Sequence, residues 1–312
     1  MADFRTQSKR SFLAGVKRWW RSFTWISKII IPVSFLVTLL QWAGWLDRLD
    51  FLLNPLMRLI NLPPEAALPI ISGMFISIYT AIAVMTALPF TQEQMTLIAV
   101  FILICHNLIT EGIVQHKSGI NIIKTTLFRI TAAILAVIIV SRFLGDTSQS
   151  TSITTALAAQ PPVFEILKGW ALDIIGLLLK ILGIVMTVMI LLEFSESLNW
   201  TEHSRKFFRP LMRILRLSDQ TATLWVTSVT FGLVYGGAVI IDEARKGTLT
   251  KEELERLHIS VGINHAMVED PALFLALGLN AFWLWVPKLV MAIIAVQAYR
   301  AIQYLQNKLF HH

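Results

Sequence analysis

Two short segments of the chain carry the residue types that do chemistry, each set in apolar surroundings. One reads Cys105-His106-Asn107-Leu108-Ile109-Thr110-Glu111-Gly112, the other Asn264-His265-Ala266-Met267-Val268-Glu269-Asp270-Pro271. Each joins an imidazole to carboxylates and ends on an acid followed by a helix breaker. Imidazole with carboxylate can ligate a divalent cation, accept a proton or hydrogen-bond a polar solute. His106, Asn107, Glu111, His265, Glu269 and Asp270 are therefore the candidate solute-binding residues. Four of them, His106, Glu111, His265 and Asp270, are the candidate metal ligands. His265 and Glu269, four apart, are expected on one helix face. Asp270 is placed to N-cap a new helix with Pro271 at its first position. The bland alternative is a buried polar clamp that fixes the chain and binds nothing. A divalent metal or coupling ion is the cofactor left open, and no other is expected.

The two segments sit in two copies of one unit. Pro55-Leu56-Met57-Arg58-Leu59-Ile60-Asn61-Leu62 returns 155 residues on as Pro210-Leu211-Met212-Arg213-Ile214-Leu215-Arg216-Leu217. Beyond it an offset of 159 maps Gly73 onto Gly232, Thr91 onto Thr250, His106 onto His265, Gly119 onto Gly278 and Arg129 onto Lys288. Each copy reads as a spanning helix (28–46 and 181–199), a short amphipathic segment (51–62 and 205–217), and a long apolar helix (66–88 and 222–241). A capped helix starting near 92 and 251 and a final helix (121–142 and 281–304) complete it. Thr91-Gln92-Glu93-Gln94 and Thr250-Lys251-Glu252-Glu253 have the spacing of capping boxes. Fourteen residues beyond Gln92, His106 lies ~21 Å along its helix, inside a hydrocarbon core of ~30 Å. Ionisable groups at that depth cost at least ~2.5–3.5 kcal/mol each unless paired or solvated. Arg129 and Lys288 either snorkel or pair with the acids at the breaks.

Composition fixes the class. The 312 residues are 55% apolar and only 15% charged, and mean hydropathy is +0.64. The uncharged runs approach the ~20 residues a spanning helix needs. The chain is thus an all-α polytopic membrane protein. That composition excludes soluble enzymes, disordered chains and disulfide scaffolds, and the single cysteine, Cys105, excludes an internal disulfide. The runs do not alternate as barrel strands do. Seven of the 27 Lys+Arg fall in the first 28 residues. This basic arm reads as a cytoplasmic topology signal rather than a nucleic-acid arm. Residues 48–65 hold only Arg48 and Arg58, whereas 201–219 hold Arg205, Lys206, Arg209, Arg213 and Arg216. Equivalent loops then lie on opposite sides, which makes inverted-topology repeats. Four hydrophobic stretches per copy are an even number, so one must be broken or re-entrant, and the capped helix is the candidate. No GxxxxGK[ST], HExxH or GxSxG motif occurs, so no enzyme is expected.

With Gly73, Thr91, His106 and Glu111 matched by Gly232, Thr250, His265 and Asp270, the halves resemble the Gate or nucleoside recognition domain family. Its relatives include the spore maturation proteins A and B, parts of concentrative nucleoside transporters and the membrane portion of ferrous iron transporter B proteins. The resemblance covers residues 65–145 and 220–305 and implies transport or gating of a solute. The expected organisation is a basic arm (1–27), a first Gate-like repeat (28–145), an external linker (146–166), a second repeat (167–305) and a cytoplasmic tail (306–312). The expected function is a secondary transporter or channel of a bacterial inner membrane, both termini cytoplasmic. It would move a small polar solute or divalent cation through a central His/carboxylate site where the repeats meet. The alternative is a non-transporting scaffold or signalling partner like the spore maturation proteins. Expected partners are the lipid bilayer and the solute or ion, with no nucleic acid, and a homo-oligomer is left open.

Overall fold

The computed structural model describes residues 2–45, 50–148, 162–197 and 200–310. The middle of the expected linker (149–161) and the end of the tail lie outside the described residues. Among the described residues there are thirteen α-helices and no strand. They run α1 (Ala2–Trp42), α2 (Asp50–Leu59), α3 (Ala67–Phe75), α4 (Ile78–Ala87), α5 (Gln92–Ile104), α6 (Leu108–Lys117) and α7 (Ile122–Leu144). Then come α8 (Val163–Ser197), α9 (Trp200–Ile214), α10 (Asp219–Lys246), α11 (Lys251–Asn264), α12 (Glu269–Leu275) and α13 (Ala281–Phe310). Five helical stretches are long and apolar enough to cross a membrane: Trp19–Trp42, Gln92–Lys117, Ile122–Leu144, Val163–Leu191 and Ala281–Leu309. The protein is all-α and polytopic, as its composition requires.

Local sequence sets the starts of the two central helices. Thr91 Oγ1 accepts from the Gln94 N–H at 3.2 Å, and Gln94 Oε1 accepts from the Thr91 N–H at 2.9 Å. Thr250 and Glu253 repeat the arrangement at 3.2 and 3.0 Å. Each reciprocal pair satisfies orphan donors of the first turn. Residues with positive φ also recur at the sequence offsets: Asn61 and Arg216, Asn107 and Ala266, Gly119 and Gly278.

The equivalent helices run in opposite directions. Trp19 Nε1 donates to the Leu182 carbonyl, and Trp170 Nε1 donates to Ser34 Oγ, both at 3.1 Å, so α1 and α8 are antiparallel. Gln94 Nε2 donates to the Thr147 carbonyl and Arg129 Nε to the Ile104 carbonyl, which makes α5 antiparallel to α7. Lys124 meets Glu255 and Arg129 lies against Gly262, so α7 runs alongside α11 in the same direction. Hence α5 and α11 also oppose each other.

Four expectations need correction. Residues 66–88 do not form one helix. A 3-10 turn at Pro64–Ala66 leads into α3, and the chain breaks at Ile76–Ser77 before Ser77 Oγ caps α4 by accepting the Thr80 N–H. The matching stretch 222–241 lies within α10, kinked at Gly232, whose φ of 79° and ψ of 177° suit only glycine. The basic arm is no separate segment but the start of α1, and α8 begins at Val163 rather than near 181. Finally, α12 starts at Glu269 with Val268 in the N-cap position, so Asp270 caps nothing. Its carboxylate is engaged elsewhere, as follows.

Candidate functional site

At the end of α5 the chain leaves the helix at Cys105 and passes Asn107 in the left-handed region (φ 51°) before α6 begins. At the end of α11 it leaves at His265 and passes Ala266 (φ 49°). Both breaks are buried, where free backbone donors and acceptors must find partners. The preceding helices supply them. Ser77 N–H bonds to the Ser72 carbonyl, which leaves the Gly73 carbonyl for the Asn107 N–H at 3.1 Å. The kink at Gly232 frees the carbonyls of Ser228 and Val229, and these accept the N–H groups of Ala266 at 3.3 Å and Met267 at 2.9 Å. Each half thus pairs two broken helices, each satisfying the other.

The breaks bring four of the six expected site residues together. His106 Nε2 and His265 Nε2 lie 3.0 Å apart. His106 Nε2 is 3.2 Å from Asp270 Oδ2, and His265 Nε2 is 3.3 Å from Glu111 Oε1. Each histidine therefore faces the acid of the other half. Arg129 closes the ring, its Nη1 2.7 Å from Glu111 Oε2. Its Nε and Nη2 donate to the carbonyls of Ile104 and His106, at 3.1 and 2.8 Å. Lys288, at the matching position, donates to the His265 carbonyl at 2.8 Å. Among these six side chains none belongs to a residue more than 5% exposed. Arg129 thus realises the pairing alternative, on Glu111, whereas Lys288 is buried beside the centre but bonds a carbonyl rather than an acid.

Proton accounting narrows what the centre can hold. His106 Nδ1 lies 2.8 Å from the Ile102 carbonyl. His265 Nδ1 lies 3.3 and 3.2 Å from the carbonyls of Val261 and Gly262. A carbonyl only accepts, so both Nδ1 atoms carry a proton, and in the neutral imidazoles both Nε2 atoms present lone pairs. Two imidazole lone pairs and two carboxylates then converge, an acceptor-only centre that needs a cation, proton or metal, between them. Ligand atoms of His106, His265 and Asp270 all fall within 4.8 Å of one another, and Glu111 stands beside them. This nitrogen and oxygen donor set suits a first-row divalent metal.

The other two expected residues lie outside the ring. Glu269 does not share a face with His265, because the break separates them; its Oε1 accepts from Tyr79 Oη at 3.1 Å. Asn107 contributes its backbone to the break, and its side chain is only half-buried. Asn264, fully buried beside His265 with neither side-chain polar atom hydrogen-bonded, is a site neighbour that the sequence did not flag as chemical. Its apolar surroundings and its place opposite Cys105 in the repeat were the available signal.

A polytopic helical protein with two broken helices meeting at a buried ring of charge is a membrane protein of the transporter-like class. Residues 23–147 match the model of the Gate family, described as nucleoside recognition. Over 293 residues, covering 93% of this chain and 94% of the relative, it is 30% identical to a Bacillus subtilis protein described as the uncharacterized membrane protein YvoD. The chain belongs to this Gate-family group of multi-pass membrane proteins. No solved structure matches it at a significant level.

Proposed function

We propose that the protein is a secondary transporter or channel, not an enzyme, and that the ring at His106 and His265 is its solute site. The observation that carries this reading is the convergence of two imidazole lone pairs and two carboxylates between broken helices. Such a centre favours a divalent cation as cargo, with a small polar solute as the wider class and a proton as the coupling ion. The antiparallel courses of α1 with α8 and of α5 with α11 support inverted-topology repeats, and hence alternating access around the fixed centre. In that reading the enclosed ring is the occluded state. The protein sits in a bacterial inner membrane with both termini cytoplasmic, and its partners are the bilayer and the cargo.

One observation favours a second reading, the non-transporting scaffold. Arg129 ties three groups at the first break at once, as a purely structural clamp would. Uptake decides between them. Proteoliposomes are loaded with the purified protein and screened with manganese, iron(II), zinc and nucleosides. Saturable uptake of one divalent cation supports the transport reading; no uptake of any of them, with the protein folded, leaves the scaffold. For topology, external labelling in a Cys105→Ala background should modify Ser150→Cys and spare Arg209→Cys. Equal labelling of Asp50→Cys and Arg209→Cys contradicts the inverted arrangement.

A further inference from the structure

Two charges lie within a membrane span. Asp173 and Lys180 lie on α8 inside the apolar stretch Val163–Leu191. The stretch centres on residue 177. At 1.5 Å per residue the two charges sit ~6 and ~4.5 Å from that centre, well inside a half-core of ~15 Å. Neither has an ion-pair or hydrogen-bond partner among the described residues. Groups of this kind, in the middle of a span, mark a solute path or a binding site far more often than decoration.

Both line one cavity of about 710 Å³ between α1, α4, α8 and the end of α12. Its polar wall includes Ser34, Thr38, Thr86 and Trp170. The Trp170 indole is fixed by its hydrogen bond to Ser34 Oγ at 3.1 Å, so the wall is built where α1 meets α8. Ala276 and Leu277 form the floor. They lie six and seven residues beyond Asp270, about 10 Å along the chain's helical rise.

The charges define the occupant. A lone cation would satisfy Asp173 and leave Lys180 unpaired, and a lone anion would do the reverse. The two cannot satisfy each other easily, because seven residues of helix separate them by ~10.5 Å. A second copy related by a two-fold axis along the membrane normal would set Asp173 level with Asp173, so it does not supply the missing partners. We propose that this cavity binds a zwitterionic solute, its ammonium group at Asp173 and its anionic group at Lys180. Three extended peptide residues span ~10 Å, which matches the charge spacing. A zwitterionic lipid headgroup carries the same two charges at a shorter spacing and is the competing occupant that the test separates. The inference concerns binding alone and stands independently of the transport reading.

The test uses the full chain in nanodiscs of phosphatidylglycerol, which offer no zwitterionic headgroup. Trialanine is titrated by calorimetry, with N-acetyl-trialanine amide as the uncharged control. Trialanine should bind and the control should not; Asp173→Asn and Lys180→Gln should each weaken binding by about tenfold or more. The double variant D173K/K180D, which keeps a charge pair, should recover binding, and size exclusion checks that each variant is folded. If phosphatidylethanolamine instead raises the melting temperature over phosphatidylglycerol, and both single variants abolish that shift, the headgroup is the source. Absence of both effects, or equal binding by wild type and both single variants, overturns the proposal. None of these readouts needs flux, so a failed uptake screen and a failed binding test are separate results.

Discussion

The two breaks at the centre are equivalent in position and unequal in construction. At the first, Arg129 uses three donors, two on the carbonyls of Ile104 and His106 and one on Glu111. At the second, Lys288 makes one hydrogen bond, to the His265 carbonyl. Guanidinium is a planar fork and ammonium a point charge on a flexible stem, so the same position gives a rigid clamp in one half and a single tether in the other. The first break also places Asn, which tolerates the left-handed region, at its turn; the second places Ala, which does not. The first break is therefore held by three donors and the second by one.

Removing the clamps should expose the difference most strongly. Arg129→Leu leaves Glu111 buried without its partner and two carbonyls unbonded, and should destabilise by about 3–5 kcal/mol. Lys288→Leu should cost about 1.5–3 kcal/mol. Thermal melts of both proteins in detergent read the two values, and equal losses would erase the asymmetry. Next in size is Gly232→Ala, which forces a Cβ into a backbone conformation only glycine adopts and should cost about 1–3 kcal/mol. Loss of the kink would also withdraw the carbonyls that serve Ala266 and Met267.

The capping boxes serve as an internal control. Thr91→Ala and Thr250→Ala should each cost about 1 kcal/mol, because the two boxes share the same reciprocal pair of backbone N–H bonds; Thr250 Oγ1 adds one exposed bond to Glu253. The smallest effect sharpens the contrast of the turns. Ala266→Gly should stabilise by about 0.5–1 kcal/mol, the relief of left-handed strain less the chain-entropy cost of glycine. Asn107→Gly should change little. A gain at residue 107 matching that at residue 266 would mean that the turns are equally strained.

Much of this was legible because the repeat doubled every signal. Thr91 with Gln94 and Thr250 with Glu253 gave both helix starts, since a capping box is a local device. The acids followed by Gly112 and Pro271 pointed to a break in each copy but misplaced it: the chain leaves the helices at Cys105 and His265, and both acid–breaker pairs lie inside the next helices, α6 and α12. What the sequence could not give were features decided by partners far along the chain. The break at Ile76–Ser77 leaves the Gly73 carbonyl to Asn107, a partner on another helix pair that nothing within 66–88 announces. The pairing of Glu269 with Tyr79 rather than with His265 follows from the break lying between the two, which defeats helical periodicity. Asp173 and Lys180 were visible as charges in an apolar run, but their shared cavity depends on how α1 packs against α8.

The central claim is that the two histidines form one cation site through which cargo passes. It is tested most directly by divalent-cation flux into proteoliposomes for wild type, His106→Ala, His265→Ala and the double variant, with fold checked by size exclusion and melting. The account predicts that each single variant abolishes saturable flux while remaining folded, because either loss removes a lone pair from the shared centre. A folded double variant with unchanged flux would contradict it.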